Sequence, residues 1–596
     1  MRVSDFIFKF LTDRGVDTVF MIAGGQAMYL VDALYQNNKV EVICTHHEQS
    51  AGMSADAYGR LTGKVGVALV TAGPGAVNVI NGVAGGWTDS APMMVISGQS
   101  ALACVQYQQS HSIRQYGIQG INIKPIVEKI TKYFVTVDDP AKILYYMSKA
   151  YYLALSGRPG PVWIEVPLDV QKMEVPTRLL EEFVAPLDDF DNVLLRQQVT
   201  EVLKSLASSK RPIFLIGQGI RLGQSVKDFN HVLEKFKIPV LTSRLGIDLI
   251  NSDNRLYVGR PGNYGERSAN FAIQNSDLII AAGCRLASAL VGHDPKNFGK
   301  YAKKIMVDID KEELDKPGVK IDIKIRNDTK AFFTEILRQS DLCALPDFTE
   351  WINQCNYWKK TYPVVLGHYK KEKPVNSYYF TEKLSEFATA DDVITVDTGT
   401  CFHVACQTWK IKKNQRFLTT GGLSSMGYWV AVIGACMANK RKRTVVITGD
   451  GSLQMNIQEF ATIKHNNLPI KVFIFNNNGY LLIRHTQKNF MDGRLLGEGP
   501  DTGVWCPDSL KIAEAYGIKG VRINSVKEVT HKIAEVMNYD GPVICDVMTP
   551  EWQLIIPRIS SKKKPDGTLI SMPYEDMYPF LDRKEFLSNM LVKPAD

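Results

Sequence analysis

The sequence predicts an α/β protein of three domains, each built on a central parallel sheet flanked by helices. Short apolar segments typical of buried strands alternate with helix-length segments along most of the chain. The length of 596 residues exceeds what one hydrophobic core can serve, so several domains are expected. Polar, glycine-rich turns follow several of the apolar segments, as they do in parallel sheets that bind ligands at their strand ends.

The strand-like segments fall into three blocks, 1–172, 190–345 and 376–550. They are 18–22, 41–45, 65–71, 93–97 and 162–166 in the first block, 212–217, 239–243, 278–283 and 304–310 in the second, and 393–397, 443–448, 470–475 and 542–547 in the third. An acidic, proline-containing stretch (171–187) and a charged stretch (345–375) are predicted to be connectors. The tail, 551–596, shows no clear periodicity, and we expect it to pack over another surface.

Composition narrows the possible classes of function. With 45% hydrophobic and 22% charged residues the chain is ordinary globular protein, and a net charge of +8 is small for its length, which disfavours nucleic-acid binding. Ten cysteines without a C-x-x-C pair predict reduced thiols in a cytoplasmic protein. The charged, amphipathic N-terminal segment differs from a signal peptide, and no apolar run is long enough for a membrane span. We therefore expect small-molecule substrates, with neither nucleic acid nor membrane as a partner.

The strongest chemical signal is Gly449-Asp450-Gly451-Ser452 followed by Asn477. A helix is predicted over 453–464, between two buried strands, so a right-handed crossover places both polar clusters at neighbouring carboxyl ends. One carboxylate and one amide oxygen suit Mg²⁺, which completes its octahedron with phosphate oxygens and water. Glycine at 449 and 451 permits close approach of a diphosphate, and Ser452 stands at a helix N-terminus that attracts anions.

This spacing, GDG followed after about thirty residues by NN, resembles the diphosphate-binding motif of thiamine-diphosphate (ThDP) enzymes. GDG alone is an ordinary strand-end turn, but the strand–helix–strand context and the double asparagine favour the motif. Asp450, Asn477 and Gly479 are then expected at the metal, with Tyr480 next to the cofactor.

Three α/β domains at this length resemble the acetolactate synthase (acetohydroxyacid synthase large subunit) branch of these enzymes, over almost the whole chain. The resemblance implies an N-terminal pyrimidine-binding (PYR) domain, a middle domain that binds flavin or is structural, and a C-terminal diphosphate- and metal-binding (PP) domain. It also implies a homodimer with active sites at the interface of the subunits, because the first and third domains of such enzymes meet across a two-fold axis. Nothing in the sequence selects a homotetramer.

Glu48 follows a predicted strand and opens a predicted helix, within His46-His47-Glu48. Taken alone, a Glu in a first turn is explained by the helix dipole. In the family, the matching Glu hydrogen-bonds the pyrimidine ring and favours the tautomer that removes the thiazolium C2 proton. That chemistry needs a carboxyl group held in a sheltered site at hydrogen-bond distance, so Glu48 is the predicted catalytic acid–base.

The segment 71–78 resembles the family turn T-x-G-P-G-x-x-N, in which Pro74 and Asn78 would line the pyrimidine pocket. Gly-Pro-Gly also predicts a strand-to-helix turn on structural grounds alone.

Two glycines and one glutamine complete the expected first-domain site. Gly24 and Gly25 match the family's double glycine near the reacting carbon, with Gly24 as a cofactor contact and Gly25 as a catalytic position. Gln119 aligns with a family Gln that faces the substrate, and the shared segment 125–132 anchors that alignment.

The segment 421–427 resembles the family's G-G-L-G-x-M-G. Met426 would be the apolar wedge between the two rings of ThDP, although a Met that opens an apolar helix is more often part of a core. The carbonyl of Ser424, where the family usually has Gly, would accept a hydrogen bond from the exocyclic amine.

The segment 397–403 aligns with the family segment that wraps the diphosphate, which makes Thr400 and His403 expected contacts. Acetolactate synthases have Gly-Gln where this chain has Cys401-Phe402, so a structural role for His403 remains an alternative.

FAD is a further candidate cofactor. The positions that resemble flavin contacts of acetolactate synthases are Arg158, Gly217, Gly219, Arg285, Asp308 and Asp328. Each is also a common α/β loop residue, and flavin-free relatives have similar loops. If FAD is bound, we expect it to be structural, because acetyl transfer needs no net redox step.

The implied reaction transfers a two-carbon acetyl (hydroxyethyl) unit from a 2-keto acid, with pyruvate the leading candidate, to a carbonyl acceptor. Two residues depart from an ordinary acetolactate synthase: Leu168 replaces a family Lys, and Thr486 replaces a Trp nine residues after Asn477. Loss of that large apolar wall predicts a larger or more polar acceptor, a keto-sugar nucleotide being one candidate. A true acetolactate synthase, a simple 2-keto-acid decarboxylase, a pyruvate oxidase and a non-catalytic paralogue stay as alternatives.

Overall fold

The computed structural model describes residues 1–176, 180–563 and 569–595. The chain forms two compact units, each with its own core. The first unit comprises 1–187, 391–401 and 418–551, and the second comprises 188–390, 402–417 and 552–596. The first unit is therefore discontinuous in sequence.

The first sheet has six parallel strands among the described residues, in the order β2-β1-β3-β4-β6-β5. Its strands are β1 (Thr18–Met21), β2 (Glu41–Cys44), β3 (Gly66–Val70), β4 (Met93–Gln99), β5 (Tyr133–Thr136) and β6 (Val162–Pro167). The helices of this part are α1 (Val3–Asp13), α2 (Met28–Gln36), α3 (Glu48–Thr62), α4 (Pro74–Asn78), α5 (Ile80–Asp89), α6 (Leu102–Ser110), α7 (Lys124–Val127), α8 (Ile143–Leu155) and α9 (Leu168–Gln171). The sequence did not predict β5, an edge strand whose residues are all only half-buried.

The second sheet has six parallel strands among the described residues, in the order β12-β11-β10-β7-β8-β9. Its strands are β7 (Pro212–Ile216), β8 (Val240–Thr242), β9 (Tyr257–Gly259), β10 (Leu278–Ala282), β11 (Lys303–Asp308) and β12 (Ile323–Arg326). Numbered from its own first strand the order is 3-2-1-4-5-6, the order of dinucleotide-binding folds. The helices are α10 (Asn192–Ser208), α11 (Gly219–Leu222), α12 (Val226–Phe236), α13 (Arg267–Asn275), α14 (Ser288–Val291), α15 (Lys311–Asp315), α16 (Thr329–Gln339), α17 (Thr349–Thr361) and α18 (Ser377–Phe387).

The third sheet has the order β14-β13-β15-β16-β18-β17, the same relative order as the first sheet. Its strands are β13 (Val393–Val396), β14 (Arg416–Thr419), β15 (Thr444–Gly449), β16 (Ile470–Asn476), β17 (Lys519–Ile523) and β18 (Val543–Met548). The helices are α19 (Thr400–Thr408), α20 (Ala431–Ala438), α21 (Asp450–Leu453), α22 (Glu459–His465), α23 (Leu481–Phe490), α24 (Ser509–Ala515) and α25 (Val526–Asn538). The helix predicted over 453–464 was wrong in its start and continuity: α21 begins at Asp450, and a tighter turn over Gln454–Asn456 separates it from α22.

One hydrophobic core serves both the first and the third sheet. Helices α3 and α20 pack so closely that a Cβ on Gly434 would lie 1.9 Å from the carbonyl oxygen of Ser54. Apolar residues of both helices, including Ala51, Ala55 and Val432, belong to the same buried cluster. The polar turns of the two sheets are thus parts of one packed unit.

The predicted connector and tail both contribute to the core of the second unit. Helix α17 lies within the stretch predicted as a connector, and it buries Trp351 and Trp358 because they share one face. From the tail, Tyr574 and Phe586 join the same cluster, and the tail also forms the hairpin β19 (Ser561–Lys563) and β20 (Leu569–Ser571) and helix α26 (Arg583–Ser588). None of the helices in the described ranges combines the length and apolarity needed to cross a bilayer.

Candidate active site

Asp450 is the first residue of α21 and is only 2% exposed, at the carboxyl end of β15. Its Oδ1 accepts a hydrogen bond from the N–H of Gly451 at 3.0 Å, and its Oδ2 accepts one from the N–H of Gly479 at 2.9 Å. Burial raises the pKa of this carboxyl group to about 7, although the two N–H donors favour its charged form and act to lower the pKa. A nearby cation would compensate the buried charge.

The side chains of Asn476 and Asn477 differ in their hydrogen bonding. Asn476 donates from Nδ2 to Asp546 Oδ1 at 3.1 Å, which ties β16 to β18. Asn477 is 4% exposed, and its buried Oδ1 has no hydrogen-bond partner among the described residues. Because buried acceptors are almost always satisfied, this amide oxygen is suited to a ligand or metal ion.

Gly449, Gly451 and Gly479 differ in which atoms lie where a side chain would begin. A Cβ on Gly451 would lie 2.2 Å from the ring of Tyr480, so that glycine lets the tyrosine lie over the turn. A Cβ on Gly449 would meet only Cys401 Sγ, at 4.0 Å, which leaves open space beside the turn. Gly479 adopts a φ of +130°, and a Cβ there would lie 2.1 Å from the carbonyl oxygen of Glu498. The predicted close approach of a ligand is therefore sterically possible at Gly449.

Asp397, at the end of β13, is a fully buried residue that the sequence reasoning missed. Its Oδ2 accepts hydrogen bonds from Thr448 Oγ1 at 2.8 Å and from Ser452 Oγ at 2.6 Å. Ser452 Oγ in turn accepts from the N–H of Gly427 at 2.8 Å. Asp397 thus connects the GDG turn to the 421–427 loop; its position at a strand end was the available signal.

Glu48 opens α3, where the side chain of His47 caps the helix by accepting the N–H of Gln49. Glu48 is 9% exposed, and its Oε2 accepts a hydrogen bond from Asn78 Nδ2 at 3.0 Å. A Cβ on Gly75 would lie 3.3 Å from Oε1, so glycine leaves that second oxygen accessible. The structure therefore brings together the predicted acid and the predicted pocket asparagine.

The rest of the first-domain prediction gathers around the same turn. A Cβ on Gly73 would lie 2.4 Å from the carbonyl oxygen of Gln119, which places the predicted substrate residue against the turn. A Cβ on Gly24 would lie 2.5 Å from Thr71 Cβ, whereas Gly25 faces open space. Pro74 is exposed at the start of α4.

The 421–427 loop is attached to the first domain. The carboxylate of Asp89 accepts the N–H groups of Gly421 and Gly422 at 2.8 and 2.7 Å, and the guanidinium of buried Arg60 lies 3.4 Å from it. Ser424 has a φ of +54°, a conformation that favours glycine and accounts for the residue that the family usually has there. Half-buried Met426 follows within the same anchored loop.

Comparisons with known proteins agree with this geometry. Residues 1–126 match the thiamine pyrophosphate enzyme N-terminal TPP binding domain, 199–336 its central domain and 397–547 its C-terminal TPP binding domain. The acetolactate synthase large subunit of Lactococcus lactis subsp. lactis (strain IL1403) is 31% identical, over 93% of this chain and 94% of that protein. The acetolactate synthase isozyme 2 large subunit of Escherichia coli (strain K12) is 30% identical, over 94% and 99%. A probable acetolactate synthase large subunit of Methanococcus aeolicus is 31% identical, over 92% of each.

The chain belongs to the acetolactate synthase-like branch of the thiamine-diphosphate enzymes. It is a ThDP-dependent carboligase, which confirms the family and the α/β fold that the sequence predicted. In this ThDP enzyme the third-sheet cluster also fits a divalent metal, because Asp450 is buried with a raised pKa and Asn477 Oδ1 has no partner in the described chain.

The buried Nδ1 of His403, a predicted diphosphate contact, has no hydrogen-bond partner among the described residues. Its described contacts lie in the second unit, where its ring centroid is 4.0 Å from that of Tyr264. Burial holds the pKa of its imidazole well below the usual range, and Arg244 adds to this. On the same helix, Thr400 is the first residue and Cys401 Sγ lies 4.0 Å from the position of a Cβ on Gly449.

The positions predicted to contact FAD are divided between the units, with Arg158 in the first and the others in the second. Cβ atoms on Gly217 and Gly219 would lie within 2.2 to 2.5 Å of Gly283, so the turns after β7 and β10 pack directly together. Asp328 caps α16 through the N–H of Lys330.

Two further flavin positions also have contacts within the second unit. Asp308 Oδ1 accepts the N–H of Asp310 at 3.0 Å, and the carbonyl of Arg285 accepts a hydrogen bond from Lys316. At the turn after β7, buried Gln218 Oε1 has no partner among the described residues.

Proposed function

We propose that the protein is a Mg²⁺-dependent carboligase that transfers the two-carbon unit of pyruvate to a carbonyl acceptor. The observation that carries this is that the chain holds both half-sites of such an enzyme: Glu48 bonded by Asn78, and Asp450 bonded by the N–H of Gly479, two residues after Asn477 with its unpartnered oxygen. The relatives named acetolactate synthase support pyruvate as the donor.

The overall reaction conserves oxidation level. The bond between C1 and C2 of pyruvate breaks, CO₂ leaves, and the electron pair left behind forms a new carbon–carbon bond to the acceptor carbonyl carbon. The acceptor oxygen takes up one proton. When bound, ThDP would supply the nucleophilic carbon and the electron sink that this decarboxylation needs.

The chain's own residues supply orientation and proton transfer. Glu48 holds or releases a proton at the pyrimidine ring nitrogen, and Asn78 fixes its carboxyl group. Asp450 and Asn477, with the backbone of Gly479, would hold Mg²⁺, which fixes and neutralises the diphosphate. The roles proposed for the cofactor contacts Ser424 and Met426 remain those implied by the family.

The acceptor is proposed to be larger or more polar than a second pyruvate, with a keto-sugar nucleotide as one candidate. Thr486 is exposed on α23, and its Oγ1 donates to the carbonyl of Leu482 at 2.9 Å. A small side chain folded back on its own helix leaves space where the family has a tryptophan.

Product analysis tests the acceptor. The enzyme is incubated with isotope-labelled pyruvate, ThDP and Mg²⁺, alone and with a panel of aldehydes, ketones and keto-sugar nucleotides, and products are identified by mass spectrometry. We expect a labelled adduct with a polar ketone and slow acetolactate formation without it. Rapid acetolactate formation from pyruvate alone would identify a true acetolactate synthase, and acetaldehyde alone would identify a decarboxylase.

A structural FAD is a further proposal for the second unit. It is supported by the 3-2-1-4-5-6 strand order and by unpartnered Gln218 Oε1 at the turn after β7, next to β10. The test is FAD titration of purified protein followed by flavin fluorescence. Bleaching of bound flavin by pyruvate would instead favour a pyruvate oxidase.

We also propose a homodimer as the smallest active assembly. Large apolar side chains of the first unit are exposed, among them Ile118, Leu496 and Trp505, as is common at subunit interfaces. Light scattering during size-exclusion chromatography tests this, and an active monomer would contradict it.

A further inference from the structure

Arg484 is a buried arginine on α23 whose guanidinium contacts the predicted metal loop. Its Nη1 donates to the carbonyl oxygen of Asn477 at 3.2 Å and to that of Glu551 at 2.6 Å. Its Nη2 donates to the carbonyl oxygen of Asn478 at 3.0 Å. The guanidinium therefore fixes two successive backbone carbonyl groups on the C-terminal side of the proposed metal ligand.

Glu498 completes this arrangement from the other side of the loop. Its carboxylate pairs with Arg484 Nε, and both side chains are at most 6% exposed. Its carbonyl oxygen accepts the N–H of Tyr480 at 2.7 Å and is the atom that a Cβ on Gly479 would strike. The ion pair thus encloses the loop from Asn477 to Tyr480.

The chemistry of these contacts requires arginine. A guanidinium offers five donors in a fixed plane, whereas a lysine ammonium cannot satisfy three separated carbonyls and a carboxylate in that geometry. Burying such a pair is costly and is weak evidence for stability by itself. A positioning role accounts for its place around a loop whose ligand oxygen has no partner in the described chain.

We propose that Arg484 and Glu498 are positioning residues for the metal site, which rests on the proposed function. They hold the loop so that Asn477 Oδ1 is directed at the metal together with Asp450. Because Arg484 is part of α23, the same contacts connect the metal loop to the helix that carries Thr486 at the proposed acceptor pocket.

The test compares Mg²⁺ affinity with folding stability. Variants R484M, R484K, E498Q and the double variant R484M/E498M are compared with wild type by calorimetric titration of Mg²⁺ in the presence of ThDP. R494M is the matched control, because Arg494 lies after the same helix, is 73% exposed and pairs with exposed Asp492 at 3.2 Å. Urea unfolding without Mg²⁺ and ThDP measures stability separately.

We expect R484M to weaken Mg²⁺ binding at least about tenfold, as loss of supporting contacts around a metal commonly does. R494M should bind like wild type, and R484K should be intermediate. The double variant removes the buried unpaired charge, so its stability should recover relative to R484M while its Mg²⁺ affinity stays low. That separation distinguishes positioning from a purely structural role.

A double variant with wild-type stability and wild-type Mg²⁺ affinity would overturn the proposal. If the wild type itself binds no Mg²⁺ in the presence of ThDP, the metal part of the proposed function fails as well. The connection to α23 has its own readout: Mg²⁺ with ThDP should slow trypsin cleavage after Arg494 in wild type and have little effect in R484M. Equal protection of both proteins would contradict that connection.

Discussion

Glu48 and Asp450 are two buried carboxyl groups of the same unit, but the chain holds them in different ways. Glu48 is held by one side-chain amide, from Asn78, and its other oxygen faces the space that Gly75 leaves open. Asp450 is held by two backbone N–H groups, one on each oxygen. The group proposed to exchange a proton thus has an accessible oxygen, whereas the group proposed to bind the metal is fixed by backbone N–H groups.

The contrast predicts that the two sites respond differently to substitution. Changing the side chain of Glu48 to an amide should alter chemistry and leave binding intact, because the amide oxygen can still accept the hydrogen bond from Asn78. Changing Asp450 or its loop should alter binding first, because backbone groups from two strand ends converge on it. The following experiments test this difference, beginning with the largest expected effect.

Substituting Glu48 with Gln should lower turnover by about 10²–10⁴-fold, the usual contribution of a positioned acid–base group. ThDP and Mg²⁺ affinity should stay within about twofold of wild type, because the amide keeps the size and one acceptor. Exchange of the ThDP C2 proton, followed by NMR, should slow in parallel with turnover. Full activity of this variant would reject the assignment of Glu48.

Substituting Asp450 with Asn should weaken Mg²⁺ binding by about 100-fold or more, because the only charged protein ligand proposed is lost. Without metal the stability should change little, because removal of a buried carboxyl group with a pKa of about 7 is offset by the loss of one of its two backbone N–H hydrogen bonds, which the amide nitrogen cannot accept. Calorimetry and thermal unfolding measure the two effects. Unchanged Mg²⁺ affinity would contradict the metal assignment.

Alanine at Gly479 and at Gly75 compares the two environments sterically. At Gly479 the Cβ would lie 2.1 Å from a backbone oxygen at a φ of +130°, so we expect a loss of at least about 2 kcal/mol of unfolding free energy. At Gly75 the nearest side-chain contacts are at 3.0 and 3.3 Å, and the loss should be smaller. Urea unfolding measures both losses, and a larger loss for the Gly75 variant than for the Gly479 variant would refute this expectation.

Asp56 offers a pH-dependent test of the contacts that anchor the 421–427 loop. Two carboxylates, Asp56 and Asp89, face one guanidinium, that of Arg60, and burial raises the pKa of Asp56 to about 6. Because the folded pKa lies above the usual 3.8, this group favours folding at low pH and loses that contribution as pH rises through 6. The stability of D56N relative to wild type should therefore improve by up to about 3 kcal/mol between about pH 4 and pH 8. A pH-independent difference in urea unfolding would contradict this.

Substituting Thr486 with Trp is expected to have the smallest effect on the fold and to change acceptor choice. The exposed side chain makes a hydrogen bond only within its own helix, so stability should change by less than about 0.5 kcal/mol. The ratio of acetolactate to adduct with a polar ketone should rise severalfold, measured by mass spectrometry. An unchanged ratio would remove Thr486 from the acceptor pocket.

The sequence predicted elements correctly where the signal lies in neighbouring residues, as with apolar runs for strands and glycine-rich segments for turns. The central strands were all predicted, because fully buried strands read as continuous apolar runs. The edge strand β2 was also predicted, as 41–45, but the other edge strands of the three described sheets were missed. In β12, buried Ile323 and Ile325 alternate with exposed Lys324 and Arg326. Strand β5 is half-buried throughout.

Parts of the site that depend on distant contacts could not be read from sequence. Asp450 and Asn477 were found through their spacing in the sequence. The ion pair between Arg484 and Glu498 joins α23 to a later loop, and no local sequence pattern predicts it. The 345–375 stretch looked irregular because polar and charged residues separate and flank Trp351 and Trp358, although the two tryptophans share one helical face. Their burial is decided by the second unit's core.

The shared core of α3 and α20 has a consequence for synthesis of the chain. Helix α3 presents its apolar face early, but the partner helix follows only after roughly 370 further residues, because the segment that makes up most of the second unit intervenes in the sequence. At a ribosomal rate of about 5–20 residues per second, the nascent first block waits on the order of 20–70 s for its partner. During that interval its apolar surface is exposed and available to chaperones. Truncated chains that end near residue 400 lack α20, and we expect them to aggregate.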